Sequence, residues 1–332
     1  MKNNNISFDP TDDFSLSSIH QLYAKALTKS AAIACHKWIG RGDEKAADQA
    51  AVTAMRNTFN HLNIDGRIVI GEGERDKAPM LYIGEQVGSG GKSIDIAVDP
   101  LEGTTICARS MPNSISVLAL AARGGLLHAP DVYMEKIAVG PNLPHGLVDL
   151  NNTLKQNLRA LAKAKKCELP DLNICILNRK RHCEIIATSI ELGARVTLID
   201  DGDVSAVIAT CLGGAKVDMY YGTGGAPEGV IAAAALKCLN GQMQGRLLFD
   251  NDDEKQRAKK AGITDYSKIY TINDMVPYDT IFCASGVTTG WMLKGVRSGK
   301  RQIKTSHLIM HYNQGYVGHI DDIDLIRQRN QI

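Results

Sequence analysis

A chain of 332 residues is long enough to form one large domain or two medium ones with a substantial core. The formal net charge of +2, with Lys and Arg dispersed, argues against nucleic acid as a partner, and no apolar stretch is long enough to suggest a membrane. The polar N-terminus and eight cysteines without a C-x-x-C pair predict a cytoplasmic protein with reduced thiols.

The N-terminal part of the chain begins with a polar arm and two helices. Residues 1–15 form the arm, and apolar residues recur at helical spacing from Leu16 to Ile39. Asp43 is a good N-cap for a second helix from about Glu44 to Phe59. The apolar stripe of that helix, extended backwards, reaches Asp48. A carboxylate on a buried face needs a partner, and either a metal ion or a neighbouring Arg or Lys would serve.

Strands and turns follow these helices. We predict a strand at Arg67–Ile70, a polar loop at residues 71–76, a strand from Ser93 to Asp99 and a hairpin around Arg123-Gly124-Gly125. In the second strand, apolar side chains occupy one face, whereas two carboxylates lie on the other. We therefore expect two carboxylates to leave one side of this strand where the chain turns.

The most informative feature is the acidic turn Asp-Pro-Leu-Glu-Gly-Thr-Thr at residues 99–105. Asp95 and Asp99 share one face of the preceding strand, and Glu102 follows at once. Such close carboxylates repel one another unless protons or cations intervene, and oxygen-only ligand sets suit Mg²⁺ or Mn²⁺. The sequence thus favours a metal site, with the hydroxyl of Thr104 placed for a phosphate or a water. An Asx-type turn that ends a strand is the alternative.

After about residue 150, strands alternate with helices, which predicts an α/β arrangement with parallel strands. Polar loops at residues 178–182, 200–203 and 222–229 follow successive strands. Because ligands in such sheets bind beyond the carboxyl ends of the strands, we expect these loops to converge. We accordingly divide the chain into a metal-binding α+β subdomain at 16–150 and a substrate-binding α/β subdomain at 151–332.

Six segments together resemble those of class II fructose-1,6-bisphosphatases, over about residues 20–310. They are Gly40-Arg41-Gly42-Asp43, Ala47-Asp48-Gln49-Ala50-Ala51-Val52, Ile70-Gly71-Glu72-Gly73-Glu74, Ala78-Pro79-Met80-Leu81-Tyr82-Ile83-Gly84, Asp99-Pro100-Leu101-Glu102-Gly103-Thr104 and Gly224-Gly225-Ala226-Pro227-Glu228-Gly229. Residues 73–76 and 201–206 are similar to the cyanobacterial bifunctional fructose-1,6-/sedoheptulose-1,7-bisphosphatases of that family. The resemblance implies the layered α/β fold of the lithium-sensitive sugar and inositol phosphatases.

The resemblance also implies an activity and a site. The activity is hydrolysis of the 1-phosphate of fructose 1,6-bisphosphate with Mg²⁺ or Mn²⁺, extended in the bifunctional members to sedoheptulose 1,7-bisphosphate. The implied metal ligands are Asp48, Glu72, Asp99, Glu102 and Glu228. The implied substrate contacts are Glu102, Gly103, Thr104, Tyr133, Arg179, Lys180, Arg181, Asp201, Gly202, Asp203 and Gly225. We expect Thr104 to orient the attacking water or a phosphoryl oxygen, Glu72 or Asp76 to accept a proton, and the protein to be a homo-oligomer, either a dimer or a tetramer.

One position departs from the family pattern, since Glu44 stands where many members have Lys. Two other functions fit parts of the sequence. An inositol-phosphate or nucleotide 3′-phosphatase would use the same acidic residues, and a non-catalytic sugar-phosphate-binding protein would keep the binding loops. The full set of five carboxylates argues against the second, because a sensor does not need a multi-metal site.

Overall fold

The computed structural model describes residues 14–72 and 80–326. Within these ranges, helices and strands alternate irregularly along the chain, and three single 3₁₀ turns lie at residues 36–38, 169–171 and 180–182. The elements in chain order are α1 Ser18–Cys35, α2 Glu44–Phe59, β1 Ile64–Ile70, β2 Gln86–Val87, β3 Lys92–Glu102, α3 Thr104–Ala108, β4 Ile115–Ala122, β5 Tyr133–Val139, α4 Leu154–Lys165, β6 Asn173–Leu177, α5 Cys183–Glu191, β7 Arg195–Ile199, α6 Asp203–Ala209, β8 Met219–Gly225, α7 Ala226–Leu239, β9 Gln242–Leu248, α8 Asp252–Lys260, β10 Ile269–Thr271, α9 Ile272–Met275, β11 Thr280–Gly286, β12 Arg297–Ser298, β13 Gln302–His311 and β14 Tyr316–Leu325.

The first sheet has the strand order β12-β13-β11-β4-β3-β1-β2, with β14 paired to β13. β3 runs parallel to β1 and antiparallel to β4. Ile94, Ile96 and Val98 of β3 pack under α1 and α2, whereas Ala97 joins the core on the opposite face. The predicted alternation of this strand is therefore confirmed, because successive side chains point to opposite faces.

The second sheet has the order β10-β9-β5-β8-β6-β7. Its strands β6, β7 and β8 are parallel, as predicted for the C-terminal half. However, β5 is antiparallel to both β8 and β9, so the sheet is mixed. The strands predicted in the C-terminal half, β6 to β9, therefore all run in one direction, as expected, and the antiparallel strand β5 between β8 and β9 comes from an earlier part of the chain.

Helices α6 and α7 lie in the core between the two sheets, and α4 packs on the outer face of the second sheet. With α1 and α2 on the outer face of the first sheet, the described residues form helix and sheet layers in alternation. This arrangement confirms the predicted layered α/β class. Helix α7 is buried all round, as expected for a helix with apolar residues on every face.

The chain passes between the sheets twice. The predicted hairpin at residues 123–125 does not form, because the strand after β4 is β5, which belongs to the second sheet. The chain returns to the first sheet at β11. The two sheets therefore do not coincide with sequential halves of the chain, and the division into domains at residue 150 stays a prediction.

Helix α2 begins where the sequence predicts, whereas the end of β8 lies beyond its predicted position. Helix α2 begins at Glu44, and the Asp43 side chain accepts a hydrogen bond from the backbone N–H of Ala46 at 2.9 Å, as an N-cap does. Strand β8 continues through Gly225, so α7 starts directly at Ala226 and most of the predicted loop at 222–229 is strand or helix. In the described parts of the chain, no helix is long and apolar enough to cross a membrane.

Candidate metal and substrate site

A cavity of about 330 Å³ lies where the ends of β1 and β3 meet the starts of α3 and α7. All five carboxylates predicted as metal ligands line it, namely Asp48, Glu72, Asp99, Glu102 and Glu228. Gly103, Thr104 and Asp201 line it as well. The structure therefore brings together residues from five separate segments of the sequence.

The acidic turn after β3 satisfies both interpretations of its sequence. Asp99 Oδ1 accepts a hydrogen bond from the backbone N–H of Leu101 at 3.0 Å, which makes an Asx-type turn. Carboxylate oxygens of Asp99, Glu102 and Glu228 also lie within 4.8 Å of one another. The turn thus places Asp99 and Glu102 close to Glu228. An Asx-type turn and a cluster of carboxylates that could hold a metal ion are therefore compatible at this position.

Asp95, four residues earlier on the same face of β3, has a different role. Its carboxylate is fully buried and accepts hydrogen bonds from Arg67 at 3.0 Å and from the backbone N–H of Gly124 at 2.7 Å. Arg123 Nη1 lies 3.4 Å away, completing the ion pairs. Asp95 is therefore a structural anion, separated from the acidic cavity.

The carboxylates of the cavity have raised pKa values, mainly because they are buried. Burial raises the pKa of Glu102, and the nearby Asp99 carboxylate adds to that effect. Burial also raises the pKa of Glu72 to about 8, with repulsion from Asp48 adding to it. Burial raises the pKa of Asp48 as well, and no positively charged group among the described residues counteracts that rise. In each of these groups the protonated form is favoured more than in a free carboxyl, and a bound cation would favour the charged form instead.

The donor set suits a divalent cation. Glu228 Oε2 is buried and has no hydrogen-bond partner among the described residues. A Cβ atom on Gly225 would lie only 1.8 Å from that oxygen, so glycine is needed for the close approach. Glu102 Oε1, in contrast, accepts a hydrogen bond from the backbone N–H of Val204 at 3.1 Å. An unpartnered carboxylate oxygen beside two other carboxylates is the environment that Mg²⁺ or Mn²⁺ would complete.

Two glycines of the site adopt the same backbone conformation. Gly103 and Gly202 each have φ 82°, in the left-handed region that side chains rarely adopt. Each follows an acidic residue that lines the cavity and caps a short helix, α3 or α6. The positive φ lets the chain turn from the acid directly into the helix, which places Thr104 beside Glu102.

The basic loop that is predicted to bind substrate lies at the edge of the site, where Arg181 contacts Tyr133. The Arg181 guanidinium lies 4.6 Å from the centre of the Tyr133 ring and donates hydrogen bonds to the backbone oxygen of Thr223 at 2.7 and 3.1 Å. Burial raises the pKa of Asp201, and the positive charge of Arg179 opposes that rise. Lys180 begins the 3₁₀ turn between them. None of the three basic residues lines the acidic cavity itself.

Asp203, a predicted substrate contact, binds two other side chains in the structure. Its side chain is buried, with Oδ2 bound to Lys136 Nζ at 2.5 Å and to the Tyr220 hydroxyl at 3.2 Å. Gly202 and Gly225 adjoin the cavity through their neighbours in the chain. A contact between Asp203 and a substrate hydroxyl stays a prediction.

Sequence reasoning missed two residues near the site, and one predicted residue falls outside the description. Asp131 lines the cavity, and Lys136 lies behind it. Asp131 lies just before β5 and Lys136 lies within it. Because β5 was not predicted as a strand, no periodic pattern in the sequence indicated either residue. The proposed proton acceptor Asp76 lies outside the described residues, as does the rest of 73–79.

Comparison with known proteins places the chain in a family. The family model described as "Bacterial fructose-1,6-bisphosphatase, glpX-encoded" matches residues 20–324. The chain belongs to the class II fructose-1,6-bisphosphatase family. Fructose-1,6-bisphosphatase 1 class 2 of Escherichia coli K12 is 48% identical over 299 residues, which cover 86% of this chain and 88% of that protein.

A second relative within the class II family covers more of the chain. The D-fructose 1,6-bisphosphatase class 2/sedoheptulose 1,7-bisphosphatase of Thermosynechococcus vestitus is 41% identical over 330 residues, covering 91% of this chain and 95% of that protein. A solved inositol monophosphatase from Anabaena, at 15% identity and a TM-score of 0.30 over 57% of this chain and 69% of that one, is too distant to bear on fold or function. The predicted family is therefore confirmed by the sequence comparisons.

Proposed function

We propose that this class II fructose-1,6-bisphosphatase hydrolyses the 1-phosphate of fructose 1,6-bisphosphate, with Mg²⁺ or Mn²⁺ held by the five carboxylates of the cavity. The proposal rests above all on Glu228, whose buried Oε2 has no partner in the described residues although two other carboxylates lie within 4.8 Å. An acidic cluster of this kind is costly to bury unless cations bind it. More than one ion is proposed because Asp48 and Glu72 line the cavity in addition to the three acids that lie within 4.8 Å of one another.

The protein side chains then have distinct tasks. Divalent ions held there would acidify a water molecule and offset the charge of the reacting phosphate. The hydroxyl of Thr104, at the start of α3 beside Glu102, is placed to orient that water or a phosphoryl oxygen. Glu72 is a candidate proton acceptor because it lines the same cavity as Thr104. Asp76 is the other candidate proposed from the family resemblance.

The distal end of the substrate would bind at the edge of the site. We place the 6-phosphate against Arg179, Lys180 and Arg181, because guanidinium groups bind phosphate through two hydrogen bonds at once. Tyr133 holds the Arg181 guanidinium in place by stacking. Asp201, which lines the cavity, would accept hydrogen bonds from the sugar hydroxyls.

Sedoheptulose 1,7-bisphosphate is proposed as a second substrate. The relative from Thermosynechococcus vestitus, 41% identical over 91% of this chain, carries that activity in its name. A longer sugar with phosphates at both ends requires the same two charged regions. We further propose that the enzyme works in the cytoplasm, where sugar bisphosphates are made, as a dimer or tetramer that light scattering would detect.

Phosphate release from fructose 1,6-bisphosphate tests the proposal directly. The purified protein is assayed with Mg²⁺, with Mn²⁺ and with a chelator, and fructose 6-phosphate serves as the matched non-substrate. We expect release from the bisphosphate only, lost in the chelator. Asp99→Asn removes a charge without changing volume and should lower kcat by several orders of magnitude with the fold intact. Near-wild-type turnover of that variant would show that the ligand assignment is wrong.

A further inference from the structure

A fully buried lysine lies in the middle of the second sheet, behind the acidic cavity. Lys136 is on β5, paired with Gly222 of β8 on one side and Gly245 of β9 on the other. Its side chain is 1% exposed. Lysine is almost never buried this completely unless its charge is paired, and no step of the proposed reaction uses it.

The ammonium group of Lys136 is bound by two acceptors. It donates to Asp203 Oδ2 at 2.5 Å and to the backbone oxygen of Gly225 at 2.8 Å. The Tyr220 hydroxyl donates to the same Asp203 oxygen at 3.2 Å. The buried charge is thus paired and hydrogen-bonded, as a stable buried ion pair requires.

The backbone beside this ion pair lacks side chains where they would collide with it. A Cβ atom on Gly224 would lie 2.1 Å from Asp203 Oδ2 and 3.1 Å from Lys136 Nζ. A Cβ atom on Gly229 would touch Lys136 Cδ at 3.4 Å. Gly224 is therefore required for the ion pair to fit between β8 and α6.

Both partners of Lys136 support a carboxylate of the cavity. Asp203 is the first residue of α6, and the next backbone N–H, that of Val204, binds Glu102 Oε1 at 3.1 Å. Gly225 caps α7, and its α carbon lies against the carboxylate of Glu228. One ammonium group therefore links the two helix starts on which the positions of Glu102 and Glu228 depend.

We propose that Lys136 is a positioning residue that fixes the Glu102 and Glu228 carboxylates relative to each other for metal binding. It does so by holding the start of α6 through Asp203 and the start of α7 through the Gly225 oxygen. Because Asp203 is paired with Lys136, its carboxylate is not available as a further metal ligand. The inference rests on the proposed role of Glu102 and Glu228 as ligands and adds the residue that sets their separation.

The test measures Mn²⁺ binding by electron paramagnetic resonance, without substrate and without relying on activity. The main variant is Lys136→Met with Asp203→Asn, which removes both charges and leaves no unpaired buried ion. Because groups that orient metal ligands typically contribute 10–100-fold to affinity, we expect Mn²⁺ affinity to fall at least about tenfold. Lys237→Met is the matched control, since Lys237 is also buried on α7 but binds Asn273 and Val276, away from the cavity.

Each result of this experiment has a definite meaning. Wild-type Mn²⁺ affinity in the double variant, with binding lost in Asp99→Asn, would overturn the role of Lys136 and leave the metal site standing. An equal loss in the Lys237→Met control would also overturn it, because general destabilisation would then explain the effect. Absence of Mn²⁺ binding in the wild-type protein would refute the metal site itself, and the inference with it.

Discussion

Raising the pH should destabilise the metal-free protein, because folded Glu72 holds a proton that the unfolded chain has already lost. Burial, with repulsion from Asp48, Asp99 and Glu228, raises the pKa of Glu72 from 4.5 to about 8. A group whose pKa is raised by folding stabilises the protein fully below its unfolded pKa, and that stabilisation is lost as the pH rises through the folded pKa. For Glu72 the loss is complete above about pH 8.

The size of the effect follows from the same two pKa values. The difference between 4.5 and about 8 corresponds to about 5 kcal/mol of unfolding free energy at acid pH, most of which is already lost at neutrality. Between about pH 7 and about pH 8.5 we expect the remaining loss from Glu72 to be about 1 kcal/mol. In this window the histidines of the unfolded chain are already neutral, so they contribute little.

Urea unfolding in a chelator at the two pH values measures the loss. Glu72→Gln is the matched control, because the amide keeps the shape of the side chain but cannot titrate, and it should lose about 1 kcal/mol less. Saturating Mg²⁺ should reverse the trend in the wild-type protein, since metal binding needs the deprotonated carboxylates. An unchanged free energy of unfolding in the wild-type protein, or the same loss in Glu72→Gln, would refute the argument.

Three further predictions concern single positions around the cavity. Arg181→Ala should raise KM for the bisphosphate far more than for a small aryl monophosphate; equal effects in the two assays would place the distal phosphate elsewhere. Glu44→Lys should preserve or improve turnover at limiting Mg²⁺, because Glu44 adds negative charge near Asp201, and a loss of activity with an unchanged circular dichroism spectrum would instead show that Glu44 serves the site. Gly225→Ala should weaken Mn²⁺ binding more than about tenfold, since its Cβ would lie 1.8 Å from Glu228 Oε2; unaltered binding in a titration would show that Glu228 is not a ligand.

Local signals predicted much of the site. Helix α2 could be placed because Asp43 is an N-cap and the apolar stripe runs into Asp48, and both depend only on neighbours within a few turns. The end of β3 could be placed because alternation fixes which side Asp99 points to. The places of residues that depend on nearby sequence could therefore be predicted.

Contacts between distant segments could not be predicted in this way. Asp95 and Asp99 have the same side-chain type and lie on the same face of β3. Asp95 is nevertheless structural, because Arg67 of β1 and Arg123, just after β4, pair with it. Likewise, the ion pair between Asp203 and Lys136 depends on β5, which the sequence did not predict as a strand. Strand order determines both pairings, and alternation along a single strand carries no information about its neighbours.

The double passage of the chain between the sheets also has a consequence for folding during synthesis. β4 is buried on both faces, and its partner β11 is synthesised only after every strand of the second sheet. Until then one edge of β4 has no native partner, and such unpaired strand edges are prone to aggregation.

Glu228 is synthesised late as well, so a nascent chain that stalls before α7 would carry Asp99 and Glu102 without the third acid of their cluster. Competence to bind metal should therefore appear abruptly in a series of truncated chains, near their full length.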